Sequence, residues 1–210
     1  MRRLSLELNP AAAKAFDNAP GQQLSTIDDT IRLTLDRSDA AFEMPATRPQ
    51  DSRVETMSYP RTPATAELAS RAVGDADNDG ERARRLTQFV HEFLSYRDAT
   101  SALTFDDIVE KREGDCTEYA ELFTTLARAI GLPARTVSGL VYRDEEGDPL
   151  VLHAWNEVVI DGKWFSVDPT WNEFGIDATH LRFPLGPDRL MRAHTLLSQM
   201  RFKVIEVDSR

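Results

Sequence analysis

Apolar residues recur at helical spacing in three segments in the middle of the chain. The longest predicted helix covers CTEYAELFTTLARAI, with Asp115 as its N-cap and Glu118 completing a capping box. Gly131 and Pro133 end this run. A shorter helix is predicted at about 64–73, and another at about 79–95. The apolar face of this last helix carries Leu86, Phe89, Val90 and Phe93, and its arginines Arg82, Arg84 and Arg85 form a solvated face.

Other segments alternate apolar and polar residues with period two, which predicts strands at 3–8, 30–36, 135–143, 150–160 and 163–168. A polar segment joins the first two strands, and a linker with Pro45, Pro49, Pro60 and Pro63 follows them. A helix within 186–200 and a strand at 202–207 complete the predicted elements. Mixed helices and antiparallel strands indicate an α+β fold.

Asp161 and Gly162 predict a two-residue hairpin loop between the strands at 150–160 and 163–168. Closing that loop pairs Ile160 with Lys163, Val158 with Phe165, and Trp155 with Asp168. His153, Trp155, Asp168 and Thr170 then share one face, because side chains alternate along a strand. His153 and Asp168 become diagonal neighbours, with backbones about 7–8 Å apart.

Cys116, the single cysteine of the chain, occupies the first turn of the longest predicted helix. The positive end of the helix dipole favours the thiolate, which is the nucleophilic form. A small core residue is the alternative interpretation of this position. A thiol at a helix start and a His–Asp pair on a hairpin together match the nucleophile, base and orienting acid of covalent acyl transfer.

The runs GDCTEYAELFTTLARAIGLPAR and HAWNEVVIDGKWFSVDPTW resemble the transglutaminase-like superfamily of papain-fold cysteine enzymes, in its microbial branch. The resemblance covers roughly residues 64–171 and includes three separated motifs in the order typical of that family. It implies a papain-like, transglutaminase-core fold, in which a helical lobe with the nucleophile helix packs on an antiparallel sheet. Residues 61–210 are then the catalytic domain, and residues 1–60 an N-terminal β-appendage with its linker.

By this resemblance Cys116 is the nucleophile, His153 the general base and acid, and Asp168 the residue that orients the histidine. The implied reaction passes through a thioester on a protein or peptide substrate and needs no cofactor or metal. Hydrolysis by a cysteine peptidase or amidase is favoured; protein-glutamine cross-linking and a non-catalytic interaction domain of a larger protein remain as alternatives. The backbone N–H of Cys116 is one expected oxyanion donor, and Tyr96 is the candidate for a second.

The cleft-lining candidates are aromatic. Trp155 either shields the imidazole from water or fills the core, Trp171 is expected to flank the cleft just after the triad, and Trp164 is expected to pack on the opposite face. Tyr96 has an alternative role as a tyrosine at the core edge with its hydroxyl in solvent.

The composition of the chain limits the classes of binding partner that we expect. The formal net charge of −10 argues against a nucleic-acid or anionic-membrane partner, and a single cysteine excludes an internal disulfide or a multi-cysteine zinc site. No signal peptide or membrane span is visible in the sequence. We therefore expect a cytoplasmic protein if the chain is complete, and a periplasmic or extracellular one if it is part of a longer protein.

Two further patterns have simpler explanations than a binding site. Asp75, Asp77, Asp79 and Gly80 match the opening of an EF-hand calcium loop, but the twelfth position is Leu86 where a glutamate is required. An N-cap at Asn78 explains the same residues. His91, His180 and His194 share no metal-ligand spacing, and each is predicted to be a surface histidine.

Overall fold

The computed structural model describes residues 1–37, 44–45, 62–98, 103–143 and 150–208. These residues group into two compact units, the first made of 1–42, 138–153 and 176–210, and the second of 43–137 and 154–175. Most of the predicted linker lies outside the described residues. The predicted boundary between an appendage at 1–60 and a catalytic domain at 61–210 stays a prediction.

Unit 1 contains a four-stranded antiparallel sheet in the order β12-β1-β3-β2. Its strands are β1 (Arg3–Leu8), β2 (Gln22–Ile27), β3 (Thr30–Asp36) and β12 (Phe202–Asp208). A short helix, α1 (Pro10–Ala13), follows β1, and α6 (Pro187–Leu196) with a 3₁₀ turn at Leu197–Gln199 precedes β12. The core of this unit is apolar and includes Leu4, Leu6, Leu33, Leu35, Leu181 and Phe183.

The strands predicted at 3–8, 30–36 and 202–207 are confirmed, but β2 and α1 were missed. β2 has the sequence QQLSTI, in which a single leucine and a single isoleucine give no period-two signal. It is positioned by a two-residue turn at Asp28 and Asp29, which have φ of 47° and 62°. Positive φ at both central residues is typical of the type I′ hairpin turn.

The described residues of unit 2 form four helices and strands of an antiparallel sheet. The helices are α2 (Pro63–Val73), α3 (Asp79–Phe93), α4 (Phe105–Lys111) and α5 (Cys116–Ala129). The strand order is β10-β9-β8-β7, from β7 (Ala134–Tyr142), β8 (Leu150–Ile160), β9 (Lys163–Asp168) and β10 (Glu173–Phe174). Both β7 and β8 continue from this unit into unit 1. A two-residue strand, β4 (Met44–Pro45), pairs with β9.

In unit 2 the helices α2, α3 and α5 bury their apolar faces with Val158 and Val167 of the sheet. The helices predicted at 64–73, 79–95 and from residue 116 onward are confirmed, as are the strands at 135–143, 150–160 and 163–168. α4 was not predicted, since seven residues are too few to establish a period. Its start nevertheless has a local signal, because Thr104 and Asp107 form a capping box.

Short polar contacts explain where several of these elements begin and end. Asn78 accepts a hydrogen bond from the backbone N–H of Glu81 and caps α3, as expected in place of a calcium loop. The C-terminus of α5 has Gly131 at φ 85°, with the N–H of Leu132 donating to the carbonyl of Ala127. This arrangement is a Schellman motif, which requires a residue with positive φ. Among the described residues, no helix combines the length and apolarity needed to cross a bilayer.

Candidate active site

Cys116 is the first residue of α5 and is partly exposed. Asp115 caps this helix: its carboxylate accepts from the Thr117 N–H at 2.8 Å, and its own N–H donates to Glu118 Oε2 at 3.0 Å. Both hydrogen bonds are local, so the sequence around the cysteine is sufficient to begin the helix there. The thiol therefore lies at the positive end of a 14-residue helix.

Gly114 is required for close packing rather than for an unusual backbone angle. A Cβ atom added at this position would lie 2.5 Å from Glu118 Cβ and 2.9 Å from Glu118 Cγ. The Glu118 side chain is 2% exposed, and burial raises the pKa of its carboxyl. The order Gly-Asp-Cys thus combines a close contact, a helix cap and a thiol in three consecutive residues.

Tyr96 lies beside the start of α5, within unit 2. It belongs to β5 (Ser95–Tyr96), which pairs in parallel with β6 (Glu113–Gly114), so that Tyr96 is opposite Gly114. Burial raises the pKa of Tyr96, and its electrostatic interaction with Cys116 adds to this rise. The residue is nevertheless 59% exposed, and its hydroxyl donates to Asp98 Oδ1 at 3.4 Å. Tyr96 thus lies opposite Gly114, two residues before Cys116, and is open to solvent.

The hairpin register agrees with the sequence prediction. Ile160 pairs with Lys163 and Val158 with Phe165 across a loop in which Asp161 and Gly162 have φ of 50° and 76°. The regular pairing extends to Asn156 opposite Val167. Continuing the same register by one residue on each strand would pair Trp155 with Asp168. Trp155 and Asp168 are both buried, at 1% and 0% exposure.

Asn156 connects β8 to α5. Its side-chain amide is fully buried and donates to the Ala120 carbonyl at 2.8 Å and to Thr124 Oγ1 at 2.9 Å. These acceptors lie about one and two turns after Cys116. β8 is therefore bonded to α5 through Asn156, which follows His153 by three residues along the strand.

Asp168 ends β9 and begins a four-residue loop, 169–172, that leads to β10. The N–H of Thr170 donates to Asp168 Oδ1 at 2.8 Å and fixes one carboxylate oxygen. His91 Nδ1 on α3 lies 3.3 Å from the Pro169 carbonyl oxygen and 3.1 Å from that of Thr170. Sequence reasoning gave His91 no role; Trp171, in the same loop, is half-buried.

His153 lies in the part of β8 that belongs to unit 1 and is 7% exposed. The ring of His180 faces it, with 5.9 Å between the ring centroids. The prediction that His180 is a surface histidine is wrong, because the residue is fully buried. It begins β11 (His180–Arg182), a strand too short to recognise in the sequence, which pairs with β7. His194 is exposed, as predicted.

The surroundings of His180 are polar. Its Nδ1 lies 3.1 Å from Thr179 Oγ1, and Thr179 donates in turn to Asp177. Burial raises the pKa of Asp177, but hydrogen bonds from His180, the amino group of Met1 and Thr179 outweigh it and hold that pKa below its usual range. The imidazoles of His153 and His180 each offer a ring nitrogen that could ligate a metal ion.

A buried ion pair lies on the neighbouring strands β7 and β8. Arg135 Nε donates to Glu157 Oε2 at 2.6 Å, and the two side chains are 2% and 1% exposed. The Arg135 guanidinium carbon lies 3.9 Å from the centroid of the Trp164 ring, a cation–π contact. Trp164 is thus a packing residue, as expected.

The fold and these motifs have known relatives. Residues 66–169 match the family model of the transglutaminase-like superfamily. This segment belongs to the transglutaminase-like superfamily. The matched segment contains all three residues of the predicted triad, together with Tyr96 and Trp155.

Two curated relatives are similar over slightly more than half of the chain. Kyphoscoliosis peptidase from Mus musculus is 30% identical over 129 residues, which cover 56% of this chain and 19% of the relative. Protein-glutamine gamma-glutamyltransferase from Pseudomonas aeruginosa is 34% identical over 141 residues, which cover 60% of this chain and 20% of the relative. The chain thus spans about a fifth of the length of these relatives.

Two solved structures have a similar fold. A candidate cysteine protease from Cytophaga hutchinsonii matches with a TM-score of 0.59 and 16% identity, covering 100% of this chain and 87% of that one. The periplasmic domain of TgpA from Pseudomonas aeruginosa matches with a TM-score of 0.57 and 19% identity, covering 82% and 71%. The predicted α+β, papain-like transglutaminase-core fold is confirmed.

Proposed function

We propose that the protein is a cysteine-dependent acyl-transfer enzyme that hydrolyses peptide or carboxamide bonds through a thioester. In this proposal Cys116 is the nucleophile, His153 the general base and acid, and Asp168 the residue that orients His153. The substrate is a protein or peptide, as is general for transglutaminase-like enzymes. These roles extend the family assignment to individual residues.

The observation that carries the proposal is the hydrogen bonding of Asn156. It bonds β8 to α5 at Ala120 and Thr124, and β8 is the strand that contains His153. His153, the proposed base, is therefore three residues along β8 from Asn156, which is bonded to α5. The hairpin register adds support, because its next step places Asp168 opposite Trp155, two residues from His153.

The proposed reaction begins when His153 accepts the proton of the Cys116 thiol and the thiolate attacks the substrate carbonyl. The backbone N–H of Cys116, at a helix N-terminus, stabilises the oxyanion that forms, and Tyr96 is the candidate for a second donor. His153 then returns the proton to the departing amine, which leaves an acyl group on the cysteine sulfur. Attack by water on this thioester releases the acid and restores the thiol.

The acceptor in the second step separates hydrolysis from cross-linking. Tyr96 lies opposite Gly114, beside the start of α5, and is more than half exposed, so water reaches this side of the helix start, which favours hydrolysis. Transfer to a lysine amine is the second candidate. It is favoured by the 34% identity to a relative named as a protein-glutamine gamma-glutamyltransferase.

A single assay compares the two acceptors. The protein is incubated with a glutamine-containing peptide and a fluorescent primary amine, and free acid, ammonia and labelled peptide are quantified. We expect hydrolysis to exceed amine incorporation and both to disappear in Cys116→Ala. Amine incorporation above hydrolysis would reverse the assigned acceptor, and equal turnover by wild type and Cys116→Ala would refute the proposed nucleophile.

A further inference from the structure

The side chain of His91, on α3, is bonded to the loop that follows Asp168. His91 Nδ1 faces two backbone carbonyl oxygens, those of Pro169 and Thr170, at 3.3 and 3.1 Å. A carbonyl oxygen can only accept, so Nδ1 must carry a proton and donate to both. The hydrogen bond is thus shared between two acceptors at the start of the loop.

His91 is attached to a rigid element. α3 has 15 residues with a capped N-terminus, and Leu86 and Val90 on the same helix are fully buried in the core of unit 2. The imidazole itself is half-buried. A donor held by a packed helix can fix the position of a loop, because loop backbone on its own is more mobile than the elements it connects.

The same loop holds one oxygen of Asp168. The N–H of Thr170 donates to Asp168 Oδ1 at 2.8 Å, while the carbonyl of Thr170 accepts from His91. Thr170 is therefore bonded on one side to the carboxylate and on the other to α3. A change in the position of Thr170 would therefore act on the oxygen of Asp168 to which it is bonded.

We propose that His91 is a positioning residue that sets the orientation of Asp168 through the backbone of Pro169 and Thr170. The inference rests on the proposed function, in which Asp168 orients His153. His91 contacts neither the thiol nor the substrate in this role.

Two substitutions of His91 distinguish a positioning role from a packing role. Asn places its amide nitrogen close to the position of histidine Nδ1, whereas Gln places it near Nε2. We expect His91→Gln to lower kcat about 10-fold with little change in KM, because small misplacement of catalytic groups is costly. His91→Asn should retain at least half of the wild-type kcat. His194→Gln, at an exposed histidine, is the matched control and should behave as wild type.

A double mutant tests whether the effect passes through Asp168. In an Asp168→Asn background, His91→Gln should have no further effect on kcat, because the group that it orients is already lost. A loss that is the same in both backgrounds would overturn the inference, as would equal activity of His91→Asn and His91→Gln. If Cys116→Ala abolishes turnover while His91→Gln does not change it, the inference fails and the proposed function stands.

A second measurement does not depend on turnover. Amide hydrogen exchange at Thr170, followed by NMR, reports the bond to Asp168 directly. We expect exchange to be about tenfold faster in His91→Gln and unchanged in His91→Asn. Equal exchange in wild type and His91→Gln would refute the inference even if no substrate is found.

Discussion

The buried ion pair between Arg135 and Glu157 leads to a quantitative prediction about stability. The Arg135 Nε–Glu157 Oε2 distance is 2.6 Å, and both side chains are almost completely inaccessible to solvent. Glu157→Gln keeps the shape of the side chain and removes its charge, which leaves the arginine buried without its counter-ion. Such a change costs about 3–5 kcal/mol of unfolding free energy.

The expected shift in melting temperature follows from the size of the protein. One kcal/mol corresponds to about 2–4 °C in a chain of this length, so Glu157→Gln should lower the melting temperature by about 6–20 °C. Arg135→Met should cost a similar amount, because it leaves Glu157 buried and removes the cation–π contact with Trp164.

The double mutant Arg135→Met/Glu157→Gln should be less destabilised than the sum of the two single variants. We expect a coupling energy of about 2–3 kcal/mol, since neither partner of the double mutant is charged. Equilibrium unfolding in urea measures these values, followed in parallel by tryptophan fluorescence and circular dichroism. Because the chain forms two compact units, the unfolding transitions followed by fluorescence and by circular dichroism must coincide before free energies of unfolding are compared.

An exposed ion pair of the same length is the control. Arg97 Nη1 lies 2.6 Å from Glu113 Oε2, but the two side chains are 71% and 39% exposed. Glu113→Gln should cost less than about 1 kcal/mol. If Glu157→Gln costs no more than Glu113→Gln, or if the double mutant is additive, the reasoning from burial is wrong.

Three further predictions concern the site. Gly114→Ala should destabilise the protein by about 1–3 kcal/mol in urea unfolding, because its Cβ would lie 2.5 Å from Glu118 Cβ; unchanged stability would contradict this contact. Because the pKa of Glu118 in the folded protein is raised above its ordinary value of 4.5, the protonated carboxyl stabilises the fold below pH 4.5. This stabilisation is lost as the pH rises through the raised pKa. Glu118→Gln should therefore gain stability relative to wild type between pH 4 and pH 7, and a constant difference in urea midpoint would refute the assigned direction. In the peptide assay, Asp168→Asn should lower kcat roughly 10²–10³-fold. His153→Ala should lower kcat further, because the histidine is both base and counter-ion in the proposed mechanism. Wild-type kcat in both variants would refute the triad assignment.

Several elements could be predicted because their causes are local. The capping box at Asp115 and Glu118 and the Gly131 terminus define α5 within a single segment of chain. The turn at Asp161 and Gly162 likewise determines the register of β8 and β9. In both cases the hydrogen bonds that decide the structure join residues close in sequence, so propensity and spacing are sufficient.

Other features depend on contacts between distant parts of the chain. β1 pairs with β12 across almost the whole sequence, and the three-residue strand β11 buries His180 by pairing with β7. Tyr96 lies opposite Gly114, two residues before Cys116, because two dipeptide strands pair in parallel. His91 reaches the loop after Asp168 from a helix 78 residues earlier in the chain.

The sequence by itself determined the helix that begins at Cys116, the hairpin with its register, and the family to which the matched segment belongs, because each depends on short-range bonds or contiguous motifs. Only the tertiary structure decided which histidines are buried, which aromatic residue lies beside the start of α5, and which side chain is bonded to the loop of Asp168. These outcomes depend on which surfaces meet when helices and strands pack, and residue type at a single position carries little information about a partner far away in the chain.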